Sequence, residues 1–355
     1  MNRRTVQLAP IHIAVLLVAS AGICDEPPPK KSTAPAANAA CGLVTGRISA
    51  DQERYVCRQG AEHFLPKATG FEWKMMPLER VPSYESFLVS FPSPLPSEFP
   101  ENNTVYAEYY RPVGKTGVPG VVVLHILGGD FEISRLLSRH LASQGIGALF
   151  VQMAYYGHRR PKGRRRGKLL TENLDRTVTA VRQTVMDVRR AALWLSRRPE
   201  VNGRKIGIAG TSLGAFISCL AAGAEPRFRR YAFVLGGGNI ATVIWNGAET
   251  AKYKKKLVNE GYTYESFAER LRQMEPLNHV TGIDRDGALM VNAKHDRVVP
   301  PSCTTALWEK LGRPTIFWYD CNHYTMLAHI FDVLAKVSRH FGEERWGDGK
   351  EKANG

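Results

Sequence analysis

The chain has 355 residues, of which 44% are hydrophobic, so it can build a substantial core in one large domain or in two small ones. Its net charge of +15 at pH 7 would suit a nucleic acid or an anionic surface as partner, depending on where the charge lies. The six cysteines include no C-x-x-C pair, which argues against a structural zinc site, and we expect neither a metal nor another cofactor.

Residues 1–21 are typical of a secretory signal peptide. Two arginines precede a short apolar run at 11–18, and an A-x-A cleavage site ends at Ala21. The run is too short to span a bilayer comfortably. We therefore expect export to the periplasm or the exterior, with cleavage near Ala21. A buried N-terminal helix and a lipoprotein anchored at Cys24 are the alternatives, and Ile23 disfavours the lipoprotein because a small residue is wanted before a lipidated cysteine.

The next stretch is rich in Pro, Ala and Lys and predicts a disordered linker at 22–40. Residues 41–83 have a mixed composition, for which we expect an N-terminal helical cap. In an oxidising compartment two disulfides could form, Cys41–Cys57 and Cys303–Cys321.

From residue 84 onward the pattern becomes regular. Apolar or β-branched runs predict eight strands, at 84–91, 104–110, 118–125, 146–153, around 206, 231–235, 288–292 and 315–319. Helical spacing predicts helices at 134–144, 171–197, 215–222, 248–274 and 325–341. The first two strands suggest an antiparallel pair. The later alternation of strands and helices predicts an α/β fold, with a mostly parallel sheet and helices on both faces.

In such sheets the functional site forms beyond the carboxyl ends of the strands. Four predicted strands end in polar or glycine-rich motifs: H-I-L-G-G-D at 125–130, the turn around Ser212, K-H-D-R-V-V-P at 294–300, and D-C-N-H at 320–323. We therefore expect these four segments to meet at one edge of the sheet.

Ser212 lies in a G-x-S-x-G turn between a short apolar strand and a helix of small residues. The flanking Gly210 and Gly214 are the type that a strained and crowded turn requires. A bare five-residue match of this kind is more often an ordinary turn. Here the strand before the serine and the helix after it favour an exposed nucleophile.

A serine hydroxyl becomes a good nucleophile when a histidine takes its proton, and a carboxylate then fixes the tautomer of that histidine. The strand-end motifs supply Ser212, Asp296 and His323 in that chain order. We therefore predict these three residues as a catalytic triad.

Each partner of the serine has a competing interpretation. Asp296 could simply cap the following helix, and Asp320 is the alternative acid. His295 and His329 are the other histidines nearby. His323 is the best candidate because it directly follows the last strand.

The oxyanion of a tetrahedral intermediate needs two preorganised amides. We predict the N–H of Leu213 as one donor and, from the loop after the 118–125 strand, the N–H of Leu127 as the other. His125 is expected to shape this loop rather than to act as a base, and His125 and Gly128 are also candidate substrate contacts.

With these motifs the chain resembles the α/β-hydrolase superfamily over about residues 84–341. The likeness is carried by G-T-S-L-G at 210–214, H-D-R-V-V-P at 295–300, N-H at 322–323 and the glycine loop at 125–129. It is nearest to the branch of dienelactone hydrolases, acetyl xylan esterases and prolyl-oligopeptidase-like enzymes. The resemblance implies an eight-stranded sheet and hydrolysis of an ester, thioester or amide.

The resemblance also implies a catalytic domain at 84–345 with a small helical lid at about 240–280, where such lids commonly occur. In this lid Trp245 is a candidate for lining the acyl or alcohol site. Dienelactone hydrolases use a cysteine nucleophile, so Ser212 favours an esterase. Many members have His-Gly where this chain has His125-Ile126.

Much of the excess charge lies in the arginine-rich loop 158–168, which follows a strand and should border the site mouth. It could be a solvated loop, or it could attract an anionic substrate, acidic polysaccharide or lipid head group. Tyr155 beside it is a candidate substrate contact. Nucleic acid is disfavoured because no nucleic-acid-binding fold accompanies the charge.

The main hypothesis is an exported serine esterase acting on a small ester or an acylated polysaccharide. The alternatives are a prolyl-oligopeptidase-like peptidase and a non-catalytic polyanion-binding protein of the same fold. Only about 80 residues precede the first regular strand, too few for the propeller of a prolyl oligopeptidase. The serine, acid and histidine argue against a non-catalytic protein.

Overall fold

The computed structural model describes residues 42–56, 58–162, 169–171, 173–247, 250–344 and 346. These residues form one ten-stranded sheet, whose strands are β1 Val44–Ile48, β2 Phe71–Arg80, β3 Tyr84–Pro92, β4 Thr104–Pro112, β5 Val118–Leu124, β6 Gly147–Val151, β7 Val201–Thr211, β8 Phe228–Val234, β9 Ala288–Ala293 and β10 Thr315–Tyr319. The α-helices in the same ranges are α1 Glu132–Ser143, α2 Leu174–Ser196, α3 Leu213–Ala224, α4 Ile240–Asn246, α5 Ala251–Asn259, α6 Tyr264–Arg270, α7 Pro301–Lys310 and α8 Ile330–Gly342. The expected signal peptide at 1–21 and linker at 22–40 lie outside the described residues.

The strands follow the order β1-β2-β3-β4-β6-β5-β7-β8-β9-β10 across the sheet. Strands β1 to β4 pair antiparallel in sequence, and β4 is also antiparallel to β6. From β6 to β10 every neighbouring pair is parallel. The carboxyl ends of the six parallel strands therefore share one edge of the sheet, and the predicted site segments follow four of these strands.

All eight predicted strands are present, and two further strands arise from the segment 41–83. We expected a helical cap there, and this expectation was wrong: the described helical structure in that segment is the short 3₁₀ turn Glu62–Phe64. In β2 the buried side chains of Phe71, Trp73 and Met75 alternate with exposed ones. This period of two is that of a strand with one buried face, which extends the antiparallel side of the sheet.

Helices cover both faces of the sheet, as predicted. In β5, Val122 and Leu124 belong to the apolar cluster that contains the core side of α2 and α3. The alternate residues Val121 and Val123 belong to a second cluster, built with α1 and α8. Because successive strand residues point to opposite faces, each face of the central strands has its own core.

The helical segment between β8 and β9 is broken into short pieces, where we predicted one helix at 248–274. Helix α5 ends before Gly261, whose φ of +86° does not continue a helix, and α6 restarts with a capping box at Thr263. At the base of the segment, the Glu275 carboxylate accepts backbone N–H groups from Asn239 and Ile240, both at 2.8 Å. This carboxylate joins the start of the segment to its end.

The three described cysteines, Cys219, Cys303 and Cys321, are buried free thiols, so the disulfide considered between Cys303 and Cys321 is not formed. Cys24, Cys41 and Cys57 lie outside the described residues. Within the part of the chain that the structure describes, no helix has the length and apolar character that crossing a membrane requires.

Candidate active site

Ser212 occupies a sharp turn between β7 and α3. Its φ is +53° with ψ −117°, a conformation that is strained for a residue with a Cβ. The backbone N–H of Ser212 donates to the carbonyl of Val234 at the end of β8, at 2.8 Å. The turn therefore places the serine side chain at the edge of the sheet formed by the carboxyl ends of the central strands.

The two glycines flanking Ser212 are required by close backbone contacts. A Cβ at Gly210 would lie 2.1 Å from the carbonyl oxygen of Gly214, and a Cβ at Gly214 would lie 2.5 Å from that of Leu124. Backbone atoms cannot swing aside as a flexible side chain can. The G-x-S-x-G pattern is thus explained by close packing of the end of β7 against α3 and of α3 against the end of β5.

His323 connects Ser212 to Asp296. Its Nε2 lies 3.0 Å from Ser212 Oγ, and its Nδ1 lies 2.7 Å from Asp296 Oδ2. The Asp296 side chain is 2% exposed and that of His323 is 12% exposed. The structure therefore brings together the three residues that the sequence predicts as a triad.

Asp296 also caps the turn that follows it. Its second oxygen, Oδ1, accepts the N–H groups of Val298 and Val299, both at 2.8 Å. One carboxylate thus fulfils both of the interpretations given for it, with one oxygen held by the turn and the other directed at His323. The two amides fix the orientation of the carboxylate.

A carboxylate can only accept hydrogen bonds, so His323 carries its proton on Nδ1 and donates it to Asp296. The lone pair of Nε2 then faces the Ser212 hydroxyl, which donates to it. This is the arrangement in which a histidine can remove the serine proton.

The competing residues have other partners. Asp320 Oδ1 lies 2.7 Å from His295 Nε2, and both side chains are largely exposed. The His329 ring packs against Tyr319, with 4.9 Å between ring centroids. Among the described histidines, the contact with Ser212 is therefore made by His323.

His125 is fully buried beneath the loop that follows β5. Its Nε2 accepts the N–H of Met153 at 3.1 Å, so its Nδ1 carries the proton and donates to the Ile126 carbonyl at 2.8 Å. Burial lowers the pKa of His125 to about 4. A neutral imidazole with both nitrogens engaged shapes the loop and is unsuited to act as a base.

The bond from His125 orients the next peptide group. In a trans peptide the carbonyl of Ile126 and the N–H of Leu127 point in opposite directions, and the described chain has no cis peptide. Because the carbonyl points at the buried imidazole, the Leu127 N–H points away from it. Gly128 and Gly129 then adopt φ values of +97° and +82°, which glycine allows.

Leu213 is the first residue of α3, directly after Ser212. A helix leaves its first amides without intrahelical partners, and the helix dipole adds positive potential at that end. The N–H of Leu213 is therefore available beside the serine hydroxyl. The oxyanion-donor roles of Leu213 and Leu127 stay predictions.

The other candidate substrate contacts, Tyr155 and Trp245, pack within the protein. The Tyr155 ring is buried against Phe99 and lies 4.9 Å from the Arg176 guanidinium. Trp245 packs between Tyr264 and Phe267 within the helical segment. Gly128 has open space where a Cβ would be, and it remains a candidate contact.

The arginine-rich loop is described only up to Lys162, and residues 163–168 lie outside the described residues. Within the described part, Arg159 is fully buried and pairs with Asp187 at 2.7 Å. Its guanidinium also donates to the carbonyls of Asn102 and Gln152. This arginine belongs to the core, so our expectation that it borders a charged mouth was wrong for Arg159.

One residue near the site was missed. Tyr155 is predicted as a substrate contact, whereas its neighbour Tyr156 is not among the predicted site residues. Tyr156 is buried and packs against His125, with 4.7 Å between ring centroids. Tyr156 could have been found from its position, because it follows the carboxyl end of β6, and the site forms at this edge of the sheet.

Comparisons with known proteins place the chain among hydrolases of this fold. The sequence profile of a family described as alpha/beta hydrolase domain containing 18 matches residues 83–280, which is more than half of the chain. A Bacillus subtilis (strain 168) protein named Uncharacterized protein YdjC is 30% identical over 80 residues, covering 22% of this chain and 69% of that protein.

Solved structures of two acetyl xylan esterases have a similar fold. The enzyme from Paenibacillus sp. R4 has a TM-score of 0.61 at 19% identity, covering 75% of this chain and 88% of that one. Acetyl xylan esterase 1 from Thermoanaerobacterium sp. JW/SL YS485 has a TM-score of 0.62 at 17% identity, covering 82% and 96%. At such identities the likeness concerns the fold alone, and it confirms the predicted fold class.

Proposed function

Because the chain belongs to the hydrolase family described as alpha/beta hydrolase domain containing 18, we propose that it is a serine esterase whose triad is Ser212, His323 and Asp296. The observation that carries the proposal is the hydrogen-bonded chain from Asp296 through His323 to Ser212, with distances of 2.7 and 3.0 Å. A histidine that a buried carboxylate orients toward a serine is the arrangement that activates a nucleophile, and a serine with only a structural role does not require it.

In the proposed reaction, Ser212 Oγ forms a bond to the acyl carbon while its proton moves to His323 Nε2. Asp296 stabilises the resulting imidazolium through Nδ1–H. His323 then gives the proton to the leaving alcohol as the bond between acyl carbon and alkoxy oxygen breaks. Water, activated by the same imidazole, hydrolyses the acyl-enzyme and restores the serine hydroxyl.

The negative charge that develops on the carbonyl oxygen would be stabilised by the amides of Leu213 and Leu127. Removal of one such donor costs about 3 kcal/mol of transition-state stabilisation in enzymes of this type. Two observations support this role: the position of Leu213 at the start of α3 and the orientation of the Leu127 N–H away from His125.

We further propose a substrate with a short acyl group, such as an acetyl ester on a small molecule or a polysaccharide. The two similar solved structures are named as acetyl xylan esterases, and this is the reason for proposing an acetyl or other short acyl ester. A preference for anionic substrates would depend on exposed cations such as Arg160 and Lys162, which follow the carboxyl end of β6.

The proposed setting is the periplasm or the exterior, after cleavage of a signal peptide near Ala21. The positive start, the apolar run and the A-x-A sequence at 19–21 support it. Mass spectrometry of the mature N-terminus in the exported fraction tests this. A mature chain starting at Met1 in the cytoplasm contradicts export, and a lipid-modified Cys24 would replace it with membrane anchoring.

A fluorophosphonate probe tests the nucleophile directly, because it reacts with serines activated by a histidine. We expect the wild-type protein to be labelled and to hydrolyse p-nitrophenyl acetate, and Ser212→Ala to lose both properties. Ser302→Ala is the matched control, since Ser302 is an exposed serine on α7. Full esterase activity in Ser212→Ala would refute the proposal.

An ester panel of increasing acyl length, with proline-containing peptides alongside, tests the substrate class. We expect the highest kcat/KM on acetyl and other short esters. Cleavage of the peptides without cleavage of short esters would instead favour a peptidase of the prolyl-oligopeptidase type.

A further inference from the structure

Tyr156 lies directly against the loop 125–129, although it belongs to the segment after β6. Its ring meets the His125 ring edge to face, and a Cβ at Gly129 would lie 2.9 Å from Tyr156 Cδ1. Burial raises the pKa of Tyr156 to about 12. The Tyr156 ring thus lies against the loop at its first residue, His125, and at its last, Gly129.

Tyr156 is itself fixed in place. Its backbone N–H donates to the Met153 carbonyl at 3.2 Å, and the Met153 N–H donates to His125 Nε2. The ring is 4% exposed. The chain after β6 and the loop after β5 are therefore tied together by both a hydrogen bond and a buried aromatic contact.

These contacts lie on both sides of the Leu127 amide in the sequence. His125 holds the carbonyl of the 126–127 peptide, and the Tyr156 ring leaves no room for a side chain at Gly129. The Leu127 N–H, which points away from the imidazole, therefore lies between two fixed points of the loop. An oxyanion donor contributes most when its position is fixed before the reaction.

We propose that Tyr156 is a positioning residue for the oxyanion loop 125–129: its ring packs against His125 and Gly129, so that the Leu127 N–H stays directed at the reacting carbonyl. The inference rests on the proposed esterase function. Tyr156 makes no covalent contribution and acts only through the backbone of the loop.

The test compares Tyr156→Leu with Tyr231→Leu. Tyr231 is a matched control because it is also buried, burial also raises its pKa to about 12, and its hydroxyl donates to a backbone carbonyl, that of Phe228. We expect Tyr156→Leu, which removes the ring, to lower kcat for p-nitrophenyl acetate by roughly 100-fold with KM within about 2-fold, because misplacement of a donor is felt in the transition state.

A transition-state analogue separates positioning from general stability. For Tyr156→Leu, we expect the Ki of an alkyl trifluoromethyl ketone to rise in proportion to the fall in kcat/KM, whereas Tyr231→Leu should change neither. Tyr156→Phe, which keeps the ring, should stay within a few-fold of wild type in kcat. Thermal melting of all variants shows whether each is folded.

The outcomes are distinct. If Tyr156→Leu and Tyr231→Leu have equal kcat and Ki values while the wild-type enzyme labels and turns over, the inference about Tyr156 is wrong and the proposed function stands. If Tyr156→Leu loses activity only in step with its melting temperature, Tyr156 has a structural role and the inference is also wrong. A wild-type protein that neither labels nor turns over overturns both.

Discussion

His295 Nε2 lies 2.7 Å from Asp320 Oδ1, and this pair joins the same two loops that Asp296 and His323 join. Each loop supplies one histidine and one aspartate, so two His–Asp pairs run between the loops. The His295 N–H adds a backbone bond to the Cys321 carbonyl at 3.0 Å. Asp320, the acid that competes with Asp296 in the sequence, is therefore engaged elsewhere.

The two aspartates should respond differently to the same substitution. We expect Asp296→Asn to lower kcat by about 10⁴-fold, because the amide favours the wrong tautomer of the histidine. Asp320→Asn should stay within a few-fold of wild type, because its partner His295 does not face Ser212 and the pair is exposed. Steady-state kinetics on p-nitrophenyl acetate measures both, and the reverse order of effects would assign the acid to Asp320.

Much of the site could be predicted from the sequence because it lies at strand ends. The rule that parallel strands present their carboxyl ends at one edge was enough to group Ser212, Asp296 and His323, which are far apart in the chain. The glycines around Ser212 reflect contacts so close that no other residue type fits, and such contacts leave a clear pattern.

Other features depend on tertiary contacts that leave little local trace. Arg159 is indistinguishable from its arginine neighbours until Asp187 on α2 is placed beside it. Which of Tyr155 and Tyr156 supports the oxyanion loop depends on the positive φ of Tyr155, +68°, which turns the chain. Strand β2 shows its period of two, but its charged and methionine-rich sequence did not suggest a strand.

The elbow glycines should tolerate no side chain. We expect Gly214→Ala to destabilise the protein by about 3 kcal/mol, because its Cβ would meet backbone carbonyls of β5 and the following loop. Gly114→Ala is the control: its φ is +68° but the space around it is open, so only the backbone cost of about 1–2 kcal/mol applies. Urea unfolding and fluorophosphonate labelling measure the effects, and equal stability with retained labelling in Gly214→Ala would contradict the elbow geometry.

The buried imidazole of His125 should make stability depend on pH. Burial lowers its folded-state pKa to about 4, whereas an unfolded histidine titrates near about 6.5. As the pH falls through this window, the unfolded chain binds the proton before the folded protein does. The contribution of neutral His125 to the free energy of unfolding is therefore complete above about pH 6.5 and is lost at about 1.4 kcal/mol per pH unit down to about pH 4. His125→Asn should reduce the slope of the free energy of unfolding against pH by the contribution of one proton.

His340 provides the matched control for this measurement. Burial, with the nearby Arg230, also lowers its pKa to about 4, and its Nε2 donates to the Gly287 carbonyl at 3.0 Å. We expect His340→Asn to flatten the pH dependence equally while keeping kcat, whereas His125→Asn should also lose roughly 10-fold in kcat because the 126–127 peptide is released. Urea titrations at pH 4 to 7 measure the free energy of unfolding. A His125→Asn variant with the wild-type slope of this free energy against pH would contradict the prediction.

The buried pair of Arg159 and Asp187 should act as a unit of stability and not as part of a charged mouth. Both side chains are fully buried 2.7 Å apart, so Arg159→Met leaves an unpaired buried carboxylate and should cost about 3–5 kcal/mol. The double variant with Asp187→Leu removes both charges and should recover part of that loss, which a double-mutant cycle in urea quantifies. Arg160→Met changes an exposed neighbour and should stay within about 0.5 kcal/mol. If Arg159→Met were as stable as Arg160→Met but weakened the binding of an anionic ester in a salt-dependent way, the arginine would belong to the substrate path after all.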